Sequence, residues 1–111
     1  METKRHCLAL DLKPDQTLIE EYEAYHQKVW PEIIENIKGS GIEHMEIYRV
    51  ENRLFMIMEV NETFSFEKKS RMDAAELTVQ EWEDLMWHYQ KALPGAQPGE
   101  KWMLMKKIFE V

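Results

Sequence analysis

The chain has 111 residues, with 14 Lys and Arg against 21 Asp and Glu, a formal net charge of −7, and 44% apolar residues. That length fits one domain, residues 1–111, and that composition fits a packed globular chain. The acidic balance argues against a nucleic acid or an anionic membrane as partner, because both repel it.

One cysteine, Cys7, excludes an internal disulfide and every multi-cysteine zinc site. Residues 1–5 are charged and the apolar stretch after them breaks at Asp11, which is no signal-peptide pattern. A cytoplasmic protein is expected, with no run of apolar residues long enough to span a membrane.

Residues 5–12 alternate, with His6, Leu8, Leu10 and Leu12 on one side, and read as a strand. Lys13, Pro14 and Asp15 stop it. Thr17 and Glu20 are spaced as a capping box that opens a helix. Along that helix Leu18, Tyr22, Tyr25, His26, Val29 and Trp30 recur at helical spacing. Pro31 interrupts it, so a kink is expected at Trp30, with Pro31 as the first residue of a second piece. Ile33, Ile34 and Ile37 give that piece its buried face, and Gly39 and Gly41 end it.

Residues 42–50 and 53–60 alternate around the short turn at Glu51 and Asn52, the pattern of an antiparallel hairpin. Residues 64–73 carry a weak helical pattern. Thr78 and Glu81 are spaced as a second capping box, before a helix bearing Val79, Trp82, Leu85, Met86 and Tyr89 and ending near Leu93 and Pro94. Pro94 to Gly99 reads as a loop, and residues 101–111 as a final strand.

The predicted order is β-α-β-β-α-β. This is an α+β, ferredoxin-like arrangement: an antiparallel four-stranded sheet with helices over one face. The third and fourth strands are apolar on both faces, the third through Phe55 and Ile57 as well as Leu54 and Met56. The uncovered face calls for a partner, and a homodimer packed sheet against sheet is expected.

His26 is the first candidate for chemistry, since an imidazole exchanges protons near neutral pH. The competing reading is a packed histidine bonded to a backbone carbonyl. Tyr22, Trp30 and Trp82 form either an aromatic wall for a sugar ring or ordinary core. Glu46 and Tyr48 share one face of the second strand with His44, while Glu59 lies among apolar neighbours on the third. The four histidines lack metal-ligand spacing, and phosphate-loop, dinucleotide and serine-hydrolase motifs are missing.

The segment from Glu21 to Glu32, with Tyr22, His26, Trp30 and Pro31 at fixed spacing, resembles the signature of the L-rhamnose mutarotase family. The likeness continues from Gly41 to Tyr48, from Asn52 to Val60, at Gln80 to Trp82, and in the closing strand. It implies a dimeric α+β barrel that interconverts the anomers of a 6-deoxy-L-hexose, a small monosaccharide, without metal or cofactor. The family's proton-donating histidine falls on His26, its sugar-contacting tyrosine on Tyr22, and the first of two paired tryptophans on Trp82. The second tryptophan is Glu83 here, and a tyrosine of the second strand is Met45.

The second strand, with Glu43, Met45, Glu46, Ile47, Tyr48 and Arg49 at fixed spacing, resembles a branch associated with L-fucose. Tyr22, Trp30, Tyr48, Trp82 and Glu83 are the expected sugar contacts, with His26 catalytic. Glu46, Glu59 and Glu83 all remain open as the second proton-transfer group. A haem-handling or oxygenase-like protein of the same barrel class and a non-catalytic sugar-binding domain are the alternatives.

Overall fold

The computed structural model describes residues 3–111. The elements run β1 (Lys4–Leu12), α1 (Gln16–Tyr25), α2 (Pro31–Gly39), β2 (Ile42–Val50), β3 (Arg53–Val60), α3 (Phe66–Ala75), α4 (Leu77–Trp87), β4 (Gln90–Lys91) and β5 (Met103–Leu104). The sheet is antiparallel, in the order β2-β3-β1-β4, with β5 also paired to β1. This is the expected α+β, ferredoxin-like arrangement, and the four expected helical pieces are four separate helices, the last ending at Trp87, short of Leu93, so that Gln90 and Lys91 join the sheet.

The first division falls at His26. α1 stops at Tyr25, and His26 caps it. Trp30 has φ −56 and ψ 135, an extended conformation, and serves as the N-cap of α2. Proline disfavours a helical residue before it, so the chain breaks here instead of kinking. Pro31 does open α2, where its missing N–H costs nothing.

The caps also differ from expectation. Asp15, not Thr17, starts α1, accepting from the Leu18 N–H at 3.0 Å. Thr78 lies inside α4, whose N-cap Glu76 has an extended backbone and no side-chain cap bond. Ser65 caps α3 through the Lys68 N–H.

The expected final strand over residues 101–111 is confined to Met103 and Leu104, opposite Ala9 and Leu8. β4 occupies the same edge of β1 at Asp11 and Leu12. The fourth strand is therefore two short pieces with the loop containing Pro94 and Pro98 between them. Prolines cannot donate to a ladder, which prevents continuous pairing there. After the Met105 N–H donates to the Cys7 carbonyl at 2.7 Å, residues 106–111 leave the sheet. Ile108 and Phe109 then stand 88% and 80% exposed.

Strand alternation divides the sheet into two faces. Leu8, Leu10 and Leu12 share the helix-covered face with Leu54, Met56, Met58 and Val60, and all seven are buried. Cys7, Phe55 and Ile57 take the other face and are only partly covered.

Two apolar clusters form the core. One joins Leu12 and Leu54 to Ile19, Tyr22, Ile33, Val79, Trp82, Met86 and Tyr89; the other holds Leu8, Ile42, Met56, Met58 and Val60. Buried Asn36 ties the helices together, donating to Glu76 at 3.1 Å and accepting from Lys69 at 2.9 Å. No helix among the described residues is long and apolar enough to cross a membrane.

Candidate active site

Between the two clusters the helix layer does not close on the sheet. A cavity of about 730 Å³ remains, with Leu8, Met45, Met56 and Met58 on the sheet side and Tyr22, His26, Trp82 and Glu83 on the helix side. Its walls are largely apolar, with a few polar groups among them, the composition of a small-ligand site.

Tyr22 lies in the last turn of α1, and His26 is its C-cap. Tyr22 is 4% exposed, and its ring centroid lies 4.4 Å from that of His26. The His26 Nδ1 is 2.8 Å from the Tyr22 carbonyl oxygen. That carbonyl accepts, so Nδ1 carries the hydrogen and Nε2 is the basic nitrogen of the neutral ring. Burial holds the His26 pKa below the usual 6.5, opposed in part by the bond to the Tyr22 carbonyl. At neutral pH the imidazole is therefore uncharged, and Nε2 is ready to accept a proton. The helix end permits this geometry, because the Tyr22 carbonyl accepts the His26 backbone N–H only at 3.3 Å and has a second lone pair for the ring.

Burial pushes the Tyr22 phenol up to about 12; a hydrogen bond from Gln90 opposes that rise and the Glu83 charge adds to it. The phenol stays protonated across the physiological range. Gln90, only 4% exposed, donates from Nε2 to the Tyr22 hydroxyl at 3.2 Å. The phenol thus spends its acceptor on Gln90 and keeps its own hydrogen, which has no other partner among the described residues. The Gln90 Oε1 is buried without a partner. Gln90 was invisible in the sequence, since a lone glutamine beyond a helix carries no pattern.

Trp82, 6% exposed, meets His26 edge-on, with ring centroids 5.8 Å apart. Trp30 is not on this cavity. It packs edge-on behind Trp82 at 5.0 Å and lines a separate recess with Glu21, Tyr25, Lys28 and Tyr89. The reason is the end of α1 at Tyr25. A continuous helix would have carried Trp30 onto the face of Tyr22 and His26; the break turns it outward.

Tyr48 is also not brought to the cavity. It pairs with Phe55 on the sheet face away from the helices, is 54% exposed, and donates to Glu46 at 3.1 Å. Glu46 and Glu59 share that far face, opposite Ile57 and Arg5. Of the three candidate carboxylates only Glu83 lines the cavity. It forms an ion pair with Lys101, whose side chain is 13% exposed. Lys101 too was missed, because it lies eighteen residues from Glu83 across an irregular loop.

A family model described as L-rhamnose mutarotase matches residues 5–111. The chain is 44% identical over 111 residues to an L-fucose mutarotase of Xanthomonas campestris pv. campestris, covering 98% of this chain and 89% of that protein. It is 36% identical over 113 residues to a UPF0734 protein of Dictyostelium discoideum, covering 97% and 90%. Among solved structures, an L-rhamnose mutarotase from Formosa agariphila superposes with a TM-score of 0.71 at 20% identity, over 97% of this chain and 98% of that one. Tetracenomycin F2 cyclase from Streptomyces glaucescens superposes with a TM-score of 0.57 at 16% identity, over 97% and 96%, and shares the fold alone. By the family model and the identity to its relatives, the chain belongs to the L-rhamnose mutarotase family.

Proposed function

We propose that this protein is a mutarotase that interconverts the α and β anomers of a 6-deoxy-L-hexose, with L-fucose as its preferred sugar. The observation that carries the chemistry is the pairing of a neutral His26 with a protonated Tyr22 on one cavity wall. The choice of L-fucose rests on the 44% identity to a protein named L-fucose mutarotase.

The reaction needs one base and one acid. His26 Nε2 takes the proton of the anomeric hydroxyl. The electron pair of that O–H bond forms the aldehyde carbonyl, and the bond from C1 to the ring oxygen breaks. The Tyr22 hydroxyl protonates the departing ring oxygen. Rotation about C1–C2 then presents the other face of the aldehyde. In closure the C5 hydroxyl returns its proton to the Tyr22 oxygen and attacks C1, while the His26 imidazolium protonates the new anomeric oxygen.

Both groups end as they began. His26 is thus acceptor on opening and donor on closing, which includes the donor role expected from the family. A positioned acid and base contribute roughly 10²–10⁴-fold, enough for a reaction that also proceeds in water. Trp82 offers the apolar surface for the sugar's C–H face and methyl group.

A homodimer and a cytoplasmic location belong to the same proposal. The half-covered sheet face with Phe55 and Ile57, and the exposed tail with Ile108 and Phe109, support a second copy as the covering partner. Sedimentation of the full chain at micromolar concentration tests this: a dimer mass supports it, a monomer mass contradicts it.

The activity is tested by saturation-transfer NMR on L-fucose and L-rhamnose. The expected result is catalysed anomer exchange, faster for L-fucose. Exchange no faster than in buffer for both sugars contradicts the proposal, and faster exchange for L-rhamnose reverses the choice of sugar.

A further inference from the structure

Lys101 stands on the cavity wall just before β5. Its ammonium donates to the Glu83 carboxylate and, at 3.3 Å, to the Glu83 carbonyl oxygen, and lies 4.9 Å from the centre of the Trp87 ring. The side chain is 13% exposed, whereas that of Glu83 is 39% exposed. The carboxylate spends Oε2 on Lys101. Its other oxygen, Oε1, has no hydrogen-bond partner among the described residues. The ammonium has three hydrogens, and Oε2 and the backbone carbonyl oxygen of Glu83 occupy two of them.

Bringing a lysine this far out of water is costly unless it is paired and hydrogen-bonded. The pairing leaves one acceptor and one donor side by side, electrically balanced, on a wall that also bears Trp82 and Trp102. A lone Glu83 would present an uncompensated negative charge to a neutral ligand. Adjacent hydroxyls of a sugar ring have the complementary chemistry, since one can donate to a carboxylate while its neighbour accepts from an ammonium.

We propose that Lys101 is a specificity-determining residue, which with Glu83 binds two adjacent ring hydroxyls of the sugar. The inference rests on the mutarotase reading for the identity of the sugar, though the binding geometry stands apart from the chemistry. Discrimination arises because an analogue lacking either hydroxyl leaves a charged group of the pair unmatched.

The test compares the full-length protein with its Lys101→Met and Glu83→Gln variants. The sugars are L-fucose and its monodeoxy analogues at C2, C3 and C4. Kd comes from protein chemical shifts, and KM and kcat from anomer-exchange NMR. The wild type is expected to disfavour two of the analogues, those missing one or the other of two neighbouring hydroxyls, by roughly 10–100-fold each. Lys101→Met should erase that discrimination at one of the two hydroxyls and Glu83→Gln at its neighbour, each mainly through Kd and KM. Lys101→Arg should retain part of it.

Unchanged discrimination in a folded Lys101→Met protein overturns the proposal and reduces Lys101 to a tether between α4 and β5. If Lys101→Met does not fold, the Glu83→Gln and Lys101→Arg proteins carry the same comparison. A wild type that binds L-fucose with this hydroxyl pattern but leaves exchange uncatalysed supports the Lys101 assignment while sinking the mutarotase reading. A wild type indifferent to every deoxy analogue overturns the assignment whatever its activity.

Discussion

The His26 ring is fastened to its own helix: Nδ1 donates to the carbonyl of Tyr22, four residues earlier, at 2.8 Å, and the Tyr22 ring lies 4.4 Å from the imidazole. One backbone turn therefore sets the tautomer of the base and brings the phenol beside it. Burial lowers the imidazole pKa and raises the phenol to about 12. The two groups sit on opposite sides of neutrality in the protonation states that ring opening requires.

The first consequence is a pH profile. As the proposed base His26 must be neutral, so kcat/KM should fall as pH drops through its pKa, which burial sets below 6.5. The rate should be flat from pH 7 to 9, because the phenol does not ionise there. Exchange rates from pH 4.5 to 9 check this. A midpoint above 6.5, or loss of rate on the alkaline side below pH 9, would contradict the assignment.

Tyr22→Phe keeps the ring and removes the proposed acid. A loss of roughly 10²-fold in kcat is expected, the low end for one general acid, with the sugar still bound. Rates on L-fucose at saturation measure it. A kcat within threefold of wild type would remove the phenol from the mechanism.

Gln90→Met removes the donor to the Tyr22 hydroxyl together with a buried carbonyl that has no partner. Losing a hydrogen bond and losing an orphan acceptor act in opposite directions on stability. The unfolding free energy should change by less than about 1 kcal/mol, as read by urea melts. The rate should still fall, because the phenol hydrogen is then free to turn away from the cavity.

Gly41 joins α2 to β2 with φ +104, and a Cβ there would meet the Asn61 and Thr63 side chains at 2.8 and 2.7 Å and the Phe64 nitrogen at 2.9 Å. Both strain and clash oppose any side chain. Gly41→Ala should cost on the order of 2–4 kcal/mol, measured by urea or thermal unfolding. A change below 0.5 kcal/mol would contradict this geometry.

Much of the fold was legible because period-two and helical patterns report burial directly. Leu8, Leu10 and Leu12 on one side of β1 and Leu54, Met56 and Met58 on one side of β3 are the sheet's buried face. Pro31 likewise marked the start of α2 from chemistry alone. The extent of the break before it was not legible, since a proline states where a helix cannot continue and not where the previous one ends. That difference moved Trp30 behind Trp82. Tyr48 was readable as a face-mate of Glu46, yet which face the helices cover is a tertiary fact. Lys101 and Gln90 reach the cavity across irregular chain, where no periodicity points.

The central claim is that His26 carries the proton of the anomeric hydroxyl. Saturation-transfer NMR of L-fucose with the wild type and with folded His26→Ala tests it most directly. Rapid exchange between anomers is expected for the wild type, and for the variant a loss of at least about 10²-fold toward the rate in buffer. Undiminished exchange in a folded His26→Ala protein would contradict it.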